Sequence, residues 1–359
     1  MKTMTPEKIK QLPTILHILD MIAGEEERLR NNVRWNLLSN LGAEDKFEIK
    51  SETPNGPCVL QPTSSCFNSY FRGQPQYYED CIPTIFRNKE KDNIDRFIDR
   101  IRSSEFELLL QTHPFVQLIY NEGIVFKNFG KDVLVSLKVD YLGLAQHYEL
   151  DTDMLDFTND KWVAAFFATC IKKNNRYIPM DSEGYGIIYR YSLTPEHFLP
   201  EKHNSIKSKK ISVIGLQPFK RPGEQKGFAL KIEEGENLNN VSGIQKYLFR
   251  HDKLAAEIIY NRMNQGENLF PYDELEELAK KIKSSKRISN NAFELACKKY
   301  PVEQMNEEKL REVCIGKGIK FVNCPVVRFS KDIKRNFLTD WKKKGEREFF
   351  SKIVHKQYF

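Results

Sequence analysis

Four side chains in this sequence are of types that bind anions or move protons, and each stands in patterned surroundings: Arg72, His147, Asp156 and Thr158. Arg72 follows an apolar approach, Cys66, Phe67, Tyr70 and Phe71, which reads as a strand entering a core. At the end of such a strand its planar fork suits a phosphate or carboxylate, and Gly73 lets the backbone come close to a ligand. The competing role for Arg72 is an ion pair with an acidic neighbour such as Asp80. His147, between Gln146 and Tyr148, is either a general base or a satisfied half-buried imidazole. Asp156 lies in the otherwise apolar run Met154 to Phe157, where an ionised group requires a partner. Thr158 or Asn159 can cap a helix beginning at Lys161, so Asp156 and Thr158 also fit a capping turn. A third segment, Arg221-Pro222-Gly223-Glu224-Gln225-Lys226-Gly227-Phe228, offers a carboxylate at Glu224 and an amide at Gln225 that could only orient. Its structural alternative is a charged turn ahead of a strand from Phe228.

The elements that must position these residues are legible from periodicity. Apolar spacing at Ile9, Leu12, Ile15, Leu16, Leu19 and Ile22, then Leu29, Val33, Leu37 and Leu38, predicts a helical pair or one interrupted helix over residues 5–40. Residues 45–72 read as extended. Ile94, Phe97, Ile98, Ile101, Phe106 and Leu109 predict a helix over 93–111. Val133, Leu137, Tyr141 and Leu144 predict a helix ending at Gln146-His147-Tyr148, after which the chain turns through Asp151-Thr152-Asp153. Strands are expected over 184–191 and 211–216, and helices over 241–263 and 274–282. Gly316-Lys317-Gly318 reads as a turn.

Taken together, these segments resemble the FRG domain, a bacterial family named for its Phe-Arg-Gly. The resemblance rests on Phe71-Arg72-Gly73, on Gln146-His147-Tyr148 leading into Leu155-Asp156-Phe157-Thr158, on Gln225-Lys226-Gly227-Phe228 with Arg221 ahead of it, and on Leu269-Phe270-Pro271. FRG domains are distantly similar to the ADP-ribosyltransferase fold, a fold-level analogy. That fold offers an Arg or His to NAD from a first strand, a Ser or Tyr platform from a second and a catalytic Glu from a third. The resemblance therefore implies Arg72 in the first position and the Asp156 to Thr158 turn in the second, with Glu224 and Gln225 competing for the third. Phe71, Gly73, Tyr148 and Thr158 would line the NAD side with Arg72. If Gln225 faces the ribose, His147 or Asp156 must serve as base. Cleaving the nicotinamide bond builds oxocarbenium-like charge on the ribose, which a carboxylate can stabilise. Departures from the family pattern are Glu149 for a Gly, Asp151 for a Pro, Asp153 for an Arg, Met154 for a Leu and Phe157 for a Trp. The Arg to Asp change at 153 reverses a charge near the presumed pocket.

Composition sets the outer limits. The chain has 359 residues, a net charge of +7 and 12% aromatic residues, enough to bury a sizeable core and too aromatic for disorder. No stretch approaches the ~20 apolar residues of a membrane helix, and residues 1–7 lack a signal-peptide pattern. Seven cysteines with no Cys-x-x-Cys pair favour free thiols in a reducing cytoplasm. The seven histidines lack metal-site spacing, so no metal is expected. Charge is uneven. Residues 280–359 hold 21 Lys and Arg against 9 Asp and Glu, a net of +12, which leaves −5 for the remainder. Tyr300, Phe321, Phe329, Phe337, Trp341, Phe349, Phe350, Tyr358 and Phe359 are interleaved with that charge. Such a mixture suits nucleic acid, with Lys342, Lys343 and Lys344 as phosphate contacts, and equally suits a solvated helical region with an apolar face.

The expected fold is α+β, a compact ADP-ribosyltransferase-like sheet surrounded by helices with helical additions at both ends. The parts are an N-terminal helical region over 1–59, the FRG domain over 60–280 and a basic region over 281–359. The expected function is an NAD-dependent ADP-ribosyltransferase-like enzyme, an intracellular toxin or anti-phage effector. It would modify a macromolecule, RNA or DNA ahead of protein, and could have a neutralising protein partner. The alternatives are a non-catalytic nucleotide or nucleic-acid binding module and an NAD glycohydrolase.

Overall fold

A computed structural model describes residues 4–31, 46–51, 56–63, 67–128, 131–174, 176–181, 183–193, 209–215 and 219–354. Its centre is a six-stranded sheet built from β1 (Asn68–Gln74), β2 (Met154–Thr158), β3 (Tyr185–Leu193), β4 (Ile211–Val213), β5 (Gly227–Lys231) and β6 (Ile244–Arg250). The order across the sheet is β4-β5-β2-β1-β3-β6, with every neighbouring pair antiparallel. The helices around it include α1 (Ile15–Asn31), α2 (Asn93–Gln111), α3 (Tyr141–His147), α4 (Lys161–Thr169), α5 (Lys220–Glu224), α6 (Lys253–Arg262), α7 (Glu274–Ser284), α8 (Asn290–Lys299), α9 (Glu307–Gly316) and α10 (Lys331–Asp340). The mixed α+β class expected from the sequence is the one observed.

The period-two alternation of strands sends neighbouring residues into different cores. Phe71 and Ile188 pack with Ile15, Leu19 and Ile22 of α1, Phe166 of α4 and Ile259 of α6. Tyr70, Ile187 and Tyr189 join Phe157, Phe228 and Phe47 in a second cluster. A third gathers Phe106 of α2, Leu144 of α3, Leu278 of α7 and the C-terminal Trp341, Phe349 and Ile353. A fourth sets Phe97 and Ile101 of α2 against Phe293 of α8 and Leu310 of α9. These cores cross the expected boundaries at 59 and 280. Ile353–Val354 also pairs with Phe47–Ser51 in a small second sheet with Cys58–Pro62.

Four local expectations are corrected. The periodic stretch from Val133 is not one helix: Lys131–Val135 pairs with Ile124–Asn128 as a hairpin, and the helix starts at Tyr141, where the Asp140 side chain accepts from the Gly143 N–H at 2.8 Å. Residues 241–263 divide into β6 and α6, because Asp252 caps α6 by accepting from the Ala255 N–H at 2.9 Å. The cap of α4 is Asp160, accepting from the Trp162 N–H at 2.9 Å, rather than Thr158 or Asn159. Asp156 and Thr158 lie inside strand β2 rather than in a turn. Cys66, Val33, Leu37, Leu38, Tyr358 and Phe359 lie outside the described residues.

Candidate functional site

The three sequence segments occupy adjacent strands. Thr158 is paired with Gly227 of β5 on one side and with Phe71 of β1 on the other. Beyond that single Phe71–Thr158 bridge the ladder between β1 and β2 stops, so the two strands part just where Arg72 and Asp156 stand. The Arg72 side chain crosses the opening and donates from Nη1 to the main-chain carbonyl of Asp156 at 2.9 Å. Asp80, the competing partner expected for Arg72, pairs instead with Lys89 at 3.7 Å.

This parting opens a cavity of about 790 Å3, within the range of small-molecule sites. Arg72 and Gly73, the β2 residues Asp156 and Thr158, His147 from α3 and Gln225 all contribute to its lining. The Asp156 carboxylate is partly exposed there. Its Oδ1 lies 3.4 Å from His147 Nε2, a charge-pair distance at which the two are not aligned as a hydrogen bond. Its Oδ2 accepts from Gln146 Nε2 at 3.3 Å, and Gln146 Oε1 in turn accepts from the Thr152 hydroxyl at 2.8 Å. The His147 ring is fixed by close packing, since a Cβ on Gly227 would come within 2.6 Å of its Cε1 and Nε2. Gly227 therefore leaves the space in which the imidazole sits.

Arg221 is buried beside the cavity, stacked 5.3 Å from the Phe270 ring, and donates to Glu149 Oε1 at 3.1 Å. Burial alone would raise the Glu149 pKa, but the charges of Arg221, Lys172 and Lys283 outweigh it and hold the carboxyl below its ordinary range. Glu149 has φ +65°, a left-handed conformation that favours glycine and costs other residues about 1 kcal/mol. The Gly expected here from the family pattern would adopt this conformation without that cost, and Glu149 adopts it while paired with Arg221.

Residues 68–176 match the FRG domain family. The chain carries an FRG domain. No curated protein and no solved structure matches the chain. The matched span of the FRG domain holds β1, α3, β2 and α4, which supply Arg72, Gln146, His147, Asp156 and the wall formed by Val163, Ala164 and Phe167.

Several sequence expectations about this domain are revised. Gly73 is required by helix packing: a Cβ there would stand 1.8 Å from the Ala164 carbonyl oxygen of α4. Tyr148 is buried away from the cavity, its hydroxyl donating to the Asp273 carboxylate, and burial followed by that carboxylate pushes its pKa well up. Glu224 is exposed at the end of α5 and does not line the cavity. Gln225 does, but its amide is committed to the Leu269 carbonyl at 3.0 Å. Thr158 accepts from the Asp160 N–H at 3.1 Å and serves the turn into α4 as well as the wall. Asp153 is buried outside the cavity beside Arg100 at 3.5 Å, so the charge reversal there leaves the pocket untouched. Sequence reasoning missed Tyr78, Arg87 and Lys283, which line the cavity without belonging to any motif. It quoted Gln146 and Arg221 without assigning them a role.

The exposed Lys342, Lys343 and Lys344 follow α10 and do not line this cavity. Trp341 and Phe349 are buried and Phe337 packs against them, so these rings face the core rather than solvent. Among the described residues no group of three or more His, Cys, Asp or Glu is placed to hold a metal ion, and no helix is long and apolar enough to cross a membrane. Cys58, Cys81, Cys170, Cys297, Cys314 and Cys324 are free thiols.

Proposed function

We propose that the FRG domain of this chain binds NAD in the cavity between β1 and β2 and acts as an ADP-ribosyltransferase-like enzyme on a macromolecular acceptor. The observation that carries the reading is the convergence of an anion-binding fork, Arg72, and a partly exposed carboxylate, Asp156, on one cavity. Asp80 and Glu149, the other carboxylates of the lining, are taken up by Lys89 and Arg221. Asp156 has only His147 within charge-pair distance among the described residues, which leaves it as the group to stabilise positive charge developing on a ribose. In that reaction the bond from ribose C1′ to the nicotinamide nitrogen breaks and its electron pair stays with nicotinamide. The acceptor oxygen or nitrogen bonds to C1′, and its proton passes to Asp156 or, through it, to His147. Glu224 has no part in this scheme, and Gln225 holds the wall.

One observation favours a different class. A third-strand carboxylate is missing from the cavity, since Glu224 is exposed outside it, and a nucleotide-binding module without chemistry needs none. NAD hydrolysis would use the same residues with water as acceptor. As for the macromolecule, the basic C-terminal region offers lysine charge, and among its described residues no aromatic ring is exposed to stack on a base, so among those residues the case for nucleic acid rests on charge.

Labelled NAD incubated with the full chain, alone and with RNA, DNA or a cell extract, tests the proposal. The expected result is nicotinamide release that falls by about 100-fold or more in Asp156→Asn while the fold is retained. NAD binding without turnover, indifferent to Asp156→Asn, selects the binding module. No NAD binding at all removes the proposal.

A further inference from the structure

The chain that follows β1 brings a second arginine to the cavity, one that no motif marks. Arg87 lines the same cavity as Arg72. Its Nε donates to the Ile82 carbonyl at 2.9 Å, which restrains the guanidinium, and among the described residues neither terminal nitrogen has a hydrogen-bond partner. Arg72 is held in a similar way, through Nη1 on the Asp156 carbonyl, while its Nε is buried with no hydrogen-bond partner. Neither guanidinium has a carboxylate within 4.0 Å among the described residues, although Lys89, Arg221 and Lys283 around the same cavity are all paired. Two guanidinium forks on one cavity, each tied to a main-chain carbonyl and without an ion-pair partner among the described residues, suit a ligand with two anionic centres.

We propose that Arg72 and Arg87 form a two-guanidinium clamp for a diphosphate, so that the cavity takes nucleoside diphosphates and their esters in preference to monophosphates. The proposal rests on the nucleotide reading of this cavity and narrows its ligand class. The segment carrying the second fork is preformed. Asn237 donates to the Glu79 carbonyl at 2.7 Å and accepts from the Cys81 N–H at 3.2 Å. Asn239 donates to the Tyr78 carbonyl at 2.9 Å, and His251 Nε2 lies 2.8 Å from the Pro75 oxygen. A site held this way has less ordering entropy to lose on binding. Tyr78, exposed and part of the cavity wall, supplies a ring on which a base can stack.

Calorimetric titration of the full chain with ADP, AMP, inorganic pyrophosphate and inorganic phosphate is the test. ADP is expected to bind about tenfold or more tightly than AMP, with pyrophosphate competing better than phosphate. Arg87→Ala should erase the advantage of ADP, and Arg87→Lys should keep only part of it because a point charge lacks the fork. Arg87 is exposed, and an unchanged melting profile for Arg87→Ala checks that only binding was altered. Equal binding of ADP and AMP, an ADP advantage that survives Arg87→Ala, or no binding of either nucleotide overturns the clamp. The two proposals fail separately. An Arg87-dependent preference for ADP without NAD cleavage keeps the clamp and removes the catalytic reading, whereas NAD cleavage with Arg87→Ala unimpaired does the reverse.

Discussion

Asp156 owes its orientation to two neighbours from the end of α3, and they make different claims on it. Gln146 holds Oδ2 and is itself fixed by Thr152, so in the proposed reaction it would position the carboxylate. Gln146→Leu should lower NAD turnover about tenfold with little change in the NAD binding constant, because the carboxylate loses its direction while Arg72 keeps its own. A change confined to affinity would show that Gln146 contacts the ligand instead. Tyr148, two residues on, belongs to a separate network. Tyr148→Phe removes a buried donor from Asp273, whose other oxygen caps α7 through the Leu275 N–H at 3.0 Å. We expect a loss of about 1–2 kcal/mol in urea unfolding and unaltered binding of NAD and ADP. A binding defect at constant stability would return Tyr148 to the cavity.

At the scale of elements, the Phe-Arg-Gly strand and α4 act as one unit, because Gly73 lets the helix backbone lie against the strand. Gly73→Ala forces its Cβ onto the Ala164 carbonyl, a backbone atom that cannot swing aside. The expected cost is about 3 kcal/mol or more, together with loss of ligand binding as β1 and α4 separate. Gly24 in α1 is the control: nothing lies within 4 Å of the place an added methyl would occupy, so Gly24→Ala should stabilise by about 0.5–1 kcal/mol. Similar melting temperatures for the two variants would contradict the close packing. Glu149 is the converse of Gly73, a side chain placed where the backbone favours glycine and kept by its charge partner.

For the whole molecule, cohesion comes from contacts between ends of the chain that the sequence separates. His113 accepts at Nδ1 from the Phe115 N–H at 3.2 Å and is surrounded by Phe219, Phe329 and Phe337. Burial, with a smaller contribution from the Lys334 charge, lowers its pKa from 6.5 to about 4. The unfolded chain therefore takes up a proton between pH 6.5 and 4 that the folded chain refuses, and stability falls as pH falls through that window. The loss is bounded by about 3 kcal/mol and is complete below both values. Urea midpoints should drop over this range, and less steeply in His113→Asn, which can still accept from the Phe115 N–H; identical slopes would remove His113 as the cause. Deleting residues 281–359 should have a larger effect. It strips Phe293 and Leu310 from Phe97 and Ile101 of α2, and Trp341 and Phe349 from Phe115. The truncated chain is expected to unfold or aggregate, and a soluble, cooperatively melting 1–280 product would show that the basic region is an independent addition.

The sequence by itself determined the elements whose signals are local. The helix over 93–111 is written in its apolar spacing and is the helix found, and the three motif segments fall on adjacent strands that border one cavity. Local signals failed where two periodicities ran on without a visible break. The hairpin strand over 131–135 joined the periodicity of α3, and β6 joined that of α6, until Asp140 and Asp252 marked the caps. Tertiary structure alone decided what each polar residue does. Glu224 and Gln225 are neighbours in sequence, yet one faces solvent and the other is bound to Leu269. Arg87 carries no motif and reaches the cavity because Asn237 and Asn239 hold the loop before it. The physical reason is range. Propensity and patterning act within a few residues, whereas burial, charge compensation and the parting of β1 from β2 depend on groups that only the folded chain brings near.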